Sequence, residues 1–269
     1  MDEQGTNKKE NEDCKIITLF HFTRLENIFD IIEKDRLKVF VLGKSNDPTE
    51  SRVSISQEAG ESDRKGLQVF FNSREFPAIS MSSAIKNLPM WERYGGNYSG
   101  VSLVYQFEVT DAGIVFNDRR IQLLPVSYAE SRPRIEKEMA ESDIIRLFYD
   151  AVSTKGEEWK EEQETRVSVS EKSIRYDSGS LYTYGFNKYL RGVVLGPKCE
   201  APKLLIRKLL EKEGLPDLPI SKAIFSENSY NVEVLEEKGT WGAIKPPPCD
   251  MRENAISALI ERNKAIKCN

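Results

Sequence analysis

The amino-acid sequence predicts an α+β fold, in which strands and helices interleave without the regular period of a doubly wound sheet. Residues 16–22 (IITLFHF) are apolar at odd and even positions alike, which is typical of a strand covered on both faces. The segment after this strand has a helical pattern, because its apolar residues recur every three or four positions: Leu25, Ile28, Phe29 and Ile32. The chain has 269 residues, 39% of them hydrophobic, which is enough to bury a substantial core.

Further elements follow in order along the chain. Strands are predicted at 37–42, 78–83, 100–109, 123–128, 165–169, 192–196, 220–225 and 232–235. Helical segments are predicted at 24–34, 90–94, 135–152 (one or two helices), 157–163, 204–212 and 251–266. Thr23 is the expected N-cap of the first helix. Within 78–83 the pattern alternates, so that Ile79 and Met81 face one side of the strand and Ser80 and Ser82 the other.

Composition divides the chain into three parts. Residues 1–14 are polar and predict a disordered tail. Residues 15–244 carry the strands and helices of one domain. Residues 245–269 hold a proline-rich linker and the C-terminal helix, which either packs back on the domain or reaches a partner.

Charge and residue counts exclude several classes of function. The 39 Lys and Arg residues against 43 Asp and Glu give a net charge of -4, which argues against a nonspecific clamp on duplex DNA. His21 is the single histidine, so His-rich zinc sites and mechanisms with two imidazoles are excluded, and no metal is expected. The four cysteines form no C-x-x-C pair, and neither a signal peptide nor a membrane-spanning run is evident. We therefore expect a cytoplasmic protein with reduced thiols and no membrane partner.

Common nucleotide-binding and hydrolase motifs are missing from the sequence. Gly43-Lys44-Ser45 imitates the end of a phosphate-binding P-loop, but Lys38 stands where that motif needs a glycine. No G-x-G-x-x-G follows a strand, and no G-x-S-x-G is present. The sequence therefore gives no support to a P-loop or dinucleotide-fingerprint protein, or to a hydrolase with a nucleophile turn.

The acidic segment 157–164 is a candidate for chemistry, although such a run is usually a solvated helix face. Glu164 stands where the helical turn meets the next strand. Strand parity groups Glu164 with Arg166, opposite the core-facing Val167. A carboxylate in this position can point into a cleft, with Trp159 either as an aromatic wall or as a core residue.

Five further residues are ambiguous when they are taken one at a time. His21 has the pattern of a hydrogen-bonded core histidine, and Ser80 and Ser82 that of the wet face of a strand. Trp91 and Tyr94 have the pattern of a core helix turn. Their joint presence, together with the acidic segment, favours a functional role over these structural ones.

Together these segments resemble a bacterial family known as domain of unknown function 2971. The most specific pieces are M-W-x-x-Y at 90–94 and W-x-x-E-x-E-x-R at 159–166. The other matching pieces are LFHF at 19–22, NDP at 46–48, ISMS at 79–82, GVSL at 100–103, TK at 154–155 and VLG at 194–196. The resemblance spans roughly residues 16–200, with Ser80-Met81-Ser82 standing where the family commonly has Cys-Phe-Ser.

This family in turn looks like a remote relative of the ADP-ribosyltransferase superfamily, whose members bind NAD between two small sheets. The resemblance implies split antiparallel β-sheets flanked by helices. It also implies an NAD-dependent ADP-ribosyltransferase or an NAD glycohydrolase, with a toxin or phage-defence role. The three superfamily motifs correspond, in chain order, to His21, to Ser80-Met81-Ser82 with Tyr94 downstream, and to Glu162-Gln163-Glu164.

The resemblance also implies roles for individual residues. Glu164 would stabilise the positive charge on the ribose as nicotinamide leaves, and Glu162 would orient or deprotonate the acceptor, which is a protein, a nucleic acid or water. The residues implied to bind or orient NAD are His21, Phe22 through its main chain, Ser80, Ser82, Trp91, Tyr94 and Arg166. For Arg166 two alternatives are open, since it either contacts the pyrophosphate or pairs with an acidic neighbour.

Two other classes of function compete with this interpretation. In the first, the protein is a nucleic-acid-binding or nucleotide-binding effector, with aromatic side chains stacked on bases and basic side chains on phosphates. The residues that would bind nucleic acid under this hypothesis are Trp91, Tyr94, Trp159, Arg166, Lys188 and Arg191. In the second, the protein is a non-catalytic interaction module that binds its partner through the helix at 251–266.

Overall fold

The computed structural model describes residues 15–41, 53–56, 65, 75–135, 141–235, 247–248 and 250–267. The predicted tail at 1–14 and the Asn46-Asp47-Pro48 piece of the family resemblance lie outside these residues. The described residues form an α+β fold around a large, mostly antiparallel sheet flanked by helices, which confirms the predicted fold class.

Fifteen strands are present in the described residues. They are β1 (Lys15–Thr23), β2 (Arg36–Val41), β3 (Ser54–Ile55), β4 (Pro77–Ser82), β5 (Val101–Val109), β6 (Ile121–Pro125), β7 (Ser127–Ala129), β8 (Arg134–Ile135), β9 (Thr154–Gly156), β10 (Glu164–Val169), β11 (Ile174–Asp177), β12 (Ser180–Tyr184), β13 (Leu190–Leu195), β14 (Ile220–Phe225) and β15 (Val232–Leu235).

Five α-helices and three short 3-10 helices accompany the strands in the same residues. The α-helices are α1 (Asn27–Glu33), α2 (Leu88–Arg93), α3 (Glu141–Ala151), α4 (Lys203–Lys212) and α5 (Met251–Lys267). The 3-10 helices are Glu157–Glu162, Glu171–Ser173 and Asn187–Tyr189.

Eleven of the strands belong to one branched sheet. Its main path runs β11-β12-β2-β4-β1-β5-β13-β14-β15, and β10 and β6 branch from β4. Only β13 and β14 pair in parallel within this sheet, as far as the described residues show. In the described residues, β3 pairs with β8 and β7 pairs with β9 in two further, two-stranded sheets. The split-sheet arrangement that the resemblance implies stays a prediction.

The fork at β4 creates a gap in the strand pairing. β10 pairs with one edge of β4 from Ala78 to Ser82. On the other edge, β2 pairs at Pro77 and Ala78, and β1 pairs at Ser82. In the described part of the chain, no strand pairs with the stretch of this edge at Ile79–Met81, because β1 and β2 diverge there and α1 connects them.

Helices cover both faces of the sheet. On the first face, α1 and α4 pack on side chains such as Leu19, Ile79 and Val167 in the main hydrophobic cluster. On the second face, one cluster holds α3 and α5 against β4 and β6, and another holds α2 around Phe20 and Trp91. The predicted parity of β4 is confirmed, since Ile79 and Met81 both lie in the main cluster.

The C-terminal helix packs back on the sheet. Ala255, Ile256 and Leu259 are buried against α3 and β6. The Gln122 side chain donates a hydrogen bond to the main-chain oxygen of Ala255, at 3.1 Å. Of the two alternatives for this helix, the structure shows the first, while the domain boundary at residue 244 and a partner for the helix remain predictions.

The prediction of Thr23 as a helix N-cap is wrong. Thr23 is the last residue of β1, and α1 begins only at Asn27. The Thr23 hydroxyl accepts a hydrogen bond from the Asn27 side chain, at 2.9 Å. The strand extends to Thr23 because it pairs with β5 up to Val101, and this long-range pairing outweighs the local capping preference.

Candidate functional site

A cleft of about 440 Å³ opens at the fork of the sheet. The end of β1, the free edge of β4 and one face of β2 line the cleft, together with α1 and Tyr182 of β12. Met90 and Tyr94, from the region of α2, line it as well. A cavity of this size at a sheet fork is typical of a small-molecule site.

His21 reaches across the gap between β1 and β4. Its Nδ1 atom lies 3.2 Å from the main-chain oxygen of Ser80, on the unpaired edge of β4. Burial lowers the pKa of His21, and the hydrogen bond to Ser80 offsets only part of this effect. The imidazole is therefore neutral at pH 7, and since a carbonyl only accepts, the proton sits on Nδ1 and leaves Nε2 as an acceptor.

Two carboxylates lie behind Ser80 and Tyr94, at the start of β10. The Ser80 side chain hydrogen-bonds the Glu164 carboxylate, and the Tyr94 hydroxyl donates to Glu162 Oε1 at 2.8 Å. Both glutamates are buried, and Glu164 is 5% exposed. Between them, Gln163 adopts a left-handed conformation with φ of 43°, which ends the 3-10 helix and starts the strand.

Two cations balance the two carboxylates. Lys155 Nζ donates to Glu162 Oε2 at 2.6 Å and to Glu164 Oε2 at 3.3 Å. Arg166 Nε donates to Glu164 Oε1 at 3.3 Å, and its Nη1 donates to the main-chain oxygen of Val152. A third cation, Arg93, lies 3.6 Å from Glu162 Oε1. We call Glu162, Glu164, Lys155 and Arg166 the charge cluster.

Main-chain hydrogen bonds fix the position of the charge cluster. The Glu164 N–H donates to the Tyr128 hydroxyl at 2.7 Å. The Ser82 hydroxyl donates to the main-chain oxygen of Glu162 at 2.5 Å. These bonds connect the turn at Gln163 to β4 and β7, so both carboxylates are anchored by strands and not by a free loop.

The cluster keeps Glu164 ionised. Burial by itself raises the pKa of this carboxyl group. The charges of Arg166 and Lys155 and the hydrogen bond from Ser80 outweigh this effect and lower the pKa to about 2. Burial and the neighbouring Glu162 charge raise the pKa of Tyr94, so its hydroxyl stays protonated and donates. The site thus holds a fixed negative charge next to a neutral donor.

Four of the residues implied to bind NAD line the cleft: His21, Phe22, Ser80 and Tyr94. Ser82, Arg166 and the two glutamates lie behind this surface and are buried. Of the two alternatives for Arg166, the structure shows the pairing with an acidic neighbour, and its guanidinium is 0% exposed. A fully buried arginine offers no contact to a pyrophosphate or to nucleic-acid phosphates in this conformation.

Trp91 was expected to bind or orient NAD, but its side chain does not line the cleft. Its side chain is fully buried, its Nε1 donates to the main-chain oxygen of Ile85 at 2.8 Å, and its ring packs edge-on against Phe22 with 4.9 Å between centroids. The aromatic pattern at 90–94 therefore places one ring in the core and the other, Tyr94, at the cleft. A stacking role for Trp91, on a cofactor or on a base, does not fit this placement.

Sequence reasoning missed two parts of the site. Lys155 was part of the family resemblance but had no assigned role, although two buried carboxylates require nearby cations. The residues on the cleft face of β2 and Tyr182 of β12 belong to no motif that the sequence analysis could identify.

Trp159, considered as an aromatic wall, packs against cations, with Arg93 at 4.8 Å and Lys155 at 4.9 Å from its ring centroid.

Comparison with known proteins supports part of the resemblance. Residues 90–167 match the family model described as Protein of unknown function (DUF2971). The DUF2971 match covers less than a third of the chain, and it includes Tyr94, Lys155 and the rest of the charge cluster but not His21 or Ser80. No curated protein and no solved structure matches the chain significantly.

Two further findings concern metal sites and membranes. Within the described ranges, no three His, Cys, Asp or Glu side chains are grouped in a way that could hold a metal ion. None of the described helices combines the length and the apolar character that crossing a bilayer requires.

Proposed function

We propose that the cleft binds NAD and that the protein cleaves the bond between nicotinamide and ribose, as an ADP-ribosyltransferase or an NAD glycohydrolase. One observation carries this proposal. Four segments that are distant in sequence are joined by a continuous series of polar contacts, from His21 through Ser80 to Glu164, then through Lys155 to Glu162 and Tyr94. Apart from Lys155, these are residues that the resemblance implies for NAD binding and catalysis.

The cleft offers groups that are complementary to NAD. His21 presents Nε2 as an acceptor for a hydroxyl of the adenosine-side ribose. Phe22 lies beside it at the diverging end of β1, where its main chain would hold the nicotinamide amide. Tyr94 is 42% exposed as a residue and lines the cleft, so its ring suits stacking on the nicotinamide ring while its hydroxyl remains bound to Glu162. The reacting bond would then lie next to Ser80.

Glu164 would stabilise the transition state electrostatically. As the bond between C1′ and the nicotinamide nitrogen breaks, its electron pair leaves with the nitrogen and positive charge develops on C1′. A fixed carboxylate next to this carbon lowers the energy of the cationic state. The nucleophilic atom of the acceptor then bonds to C1′, and its proton passes to Glu162.

The exposed Ser80 side chain connects Glu164 to the cleft. A ribose 2′-hydroxyl that donates to Glu164 in place of Ser80 would bring C1′ next to the carboxylate. Lys155 and Arg166 would hold the carboxylate in position during this exchange. The proposal therefore assigns Ser80 a positioning role and Glu164 a direct contact with the substrate.

Nicotinamide release from NAD tests the proposal. Glu164→Gln removes the charge and keeps the shape, so we expect the rate to fall about 10²- to 10³-fold. Glu161→Gln, an exposed acid of the same segment, is the matched control and should keep the wild-type rate. Thermal unfolding of both variants separates a loss of chemistry from a loss of folded protein. Equal rates in the two variants, or no release by the wild-type protein, would contradict the proposal.

A further inference from the structure

The wall of the cleft opposite the charge cluster comes from β2 and β12. On β2 the side chains of Arg36, Lys38 and Phe40 line the cleft, whereas Leu37 and Val39 belong to the core on the other face. Tyr182 of β12 lines the cleft as well and pairs in register with Lys38. We call Arg36, Lys38 and Tyr182 the basic wall.

The Arg36 guanidinium forms hydrogen bonds to two carboxylates within the protein. Its Nε and Nη2 atoms donate to the two carboxylate oxygens of Asp30, at 2.9 and 2.8 Å, and its Nη1 donates to Asp177. The guanidinium carbon lies 3.9 Å from the centre of the Tyr182 ring. Arg36 therefore holds the Tyr182 ring in place by a cation–π contact and has little capacity left for a ligand.

Lys38 is the cation of the basic wall that remains available. Its side chain is exposed, and among the described residues it has no ion-pair partner. Asp30 is also paired with Lys34, at 2.6 Å, so the positive charges here exceed the two carboxylates of Asp30 and Asp177. This end of the cleft is thus suited to an anionic group next to an aromatic surface.

We propose that the basic wall binds the nucleoside diphosphate part of the ligand. Lys38 Nζ contacts the phosphate oxygens, and the Tyr182 ring, fixed from one side by Arg36, packs against the base. The lysine acts as a point charge on the diphosphate, and aromatic stacking on a base is sequence-tolerant and favourable. This assignment rests on the proposed NAD site for the identity of the ligand, but it does not depend on bond cleavage.

Binding of ADP, measured by titration calorimetry, tests the role of Lys38. We expect Lys38→Gln to weaken ADP and ADP-ribose binding about 10-fold or more, and Lys38→Arg to retain most of it, because the charge is kept. Lys208→Gln, at an exposed lysine on α4, is the matched control and should leave the affinity unchanged. Nicotinamide riboside has no diphosphate, so its binding should not respond to Lys38→Gln.

Binding of adenosine tests the role of Tyr182. Tyr182→Leu should weaken adenosine and ADP binding about 5- to 10-fold, whereas Tyr182→Phe keeps the ring and should keep the affinity. Circular dichroism of both variants checks that the β2–β12 pairing remains intact. Equal affinities for adenosine in the Leu and Phe variants would overturn this part of the assignment.

The outcomes distinguish this inference from the proposed function. ADP binding that depends on Lys38 supports the basic wall even where no nicotinamide is released, a result that removes only the enzymatic proposal. Nicotinamide release by Lys38→Gln with an unchanged KM for NAD overturns the basic wall and leaves the enzymatic proposal standing. Absence of ADP binding by the wild-type protein also overturns the basic wall.

Discussion

At the scale of single residues, the site consists of buried charged side chains of opposite sign that neutralise one another. Two buried glutamates face Lys155 and Arg166, and burial of any one of them without the others would be strongly unfavourable. The pKa of Glu164 reports this balance, since the two cations outweigh the effect of burial. This residue therefore links the site to the stability of the fold.

The pH dependence of stability should be sensitive to Glu164. Its pKa is lowered from 4.5 to about 2 in the folded protein, so its contribution is present above the unfolded value and is lost as the pH falls from about 4.5 to 2. By linkage, a shift of this size corresponds to about 3 kcal/mol. We expect the free energy of unfolding of wild type to fall across this window relative to Glu164→Gln, which lacks the titrating group.

Urea unfolding at neutral pH and at acidic pH measures this difference. Glu161→Gln, which removes an exposed acid from the same segment, should follow the wild-type curve. Parallel curves for wild type and Glu164→Gln would show that Lys155 and Arg166 do not stabilise the ionised carboxylate.

Residue patterns predicted Glu164 and Arg166 of the charge cluster, and the resemblance implied Glu162, but neither assigned a role to Lys155. The boundary between the acidic turn and the strand predicted Glu164, and parity placed Arg166 on the same face of β10. Lys155 could not be identified in this way, because any of the 39 basic residues could supply the countercharge. Only the pairing of β7 with β9, which sets Lys155 against Tyr128, brings this one to the carboxylates.

At the scale of elements, strands with strong apolar patterns were predicted well and polar strands were missed. β14 and β15 have the predicted bounds, and β1, β5 and β13 differ from prediction by one or two residues at their ends. The hairpin of β11 and β12 was missed because it lies at the sheet edge and carries exposed residues such as Tyr176. Ser178 and Gly179 form its turn with positive φ angles.

The C-terminal helix should contribute directly to stability. Ile256 is fully buried between α3 and the sheet, so Ile256→Ala should lower the free energy of unfolding by about 2–5 kcal/mol. Ser257→Ala, at the exposed neighbouring position, should change it little. Denaturant unfolding of the two variants measures the effect, and equal stabilities would mean that the helix does not stay packed on the sheet in solution.

At the scale of the whole molecule, the sheet is best supported at its centre. β1 pairs with β5 over its entire length, and both strands are covered on two faces. β15 is the last strand of the main path and pairs with β14 over four residues. The site lies where the well-supported part of the sheet forks, which gives it a rigid frame.

Amide hydrogen exchange should follow this organisation. We expect the slowest exchange at the centre of β1 and β5, including Leu19 and Val104, and fast exchange in β15. Mass spectrometry or NMR of the native protein measures these rates. Equal protection of β15 and β1 would show that the sheet opens as one unit.

The sequence by itself determined the fold class, the order of most elements and which residues are candidates for a site, since these depend on local periodicity and residue type. The tertiary structure alone decided that β1 and β2 share one edge of β4, that Trp91 is a core residue and Tyr94 a cleft residue, and that Lys155 joins the two glutamates. These outcomes depend on pairing between segments far apart in the chain. Local patterns show which side chains of a strand face the core, but they do not show which strand pairs with it.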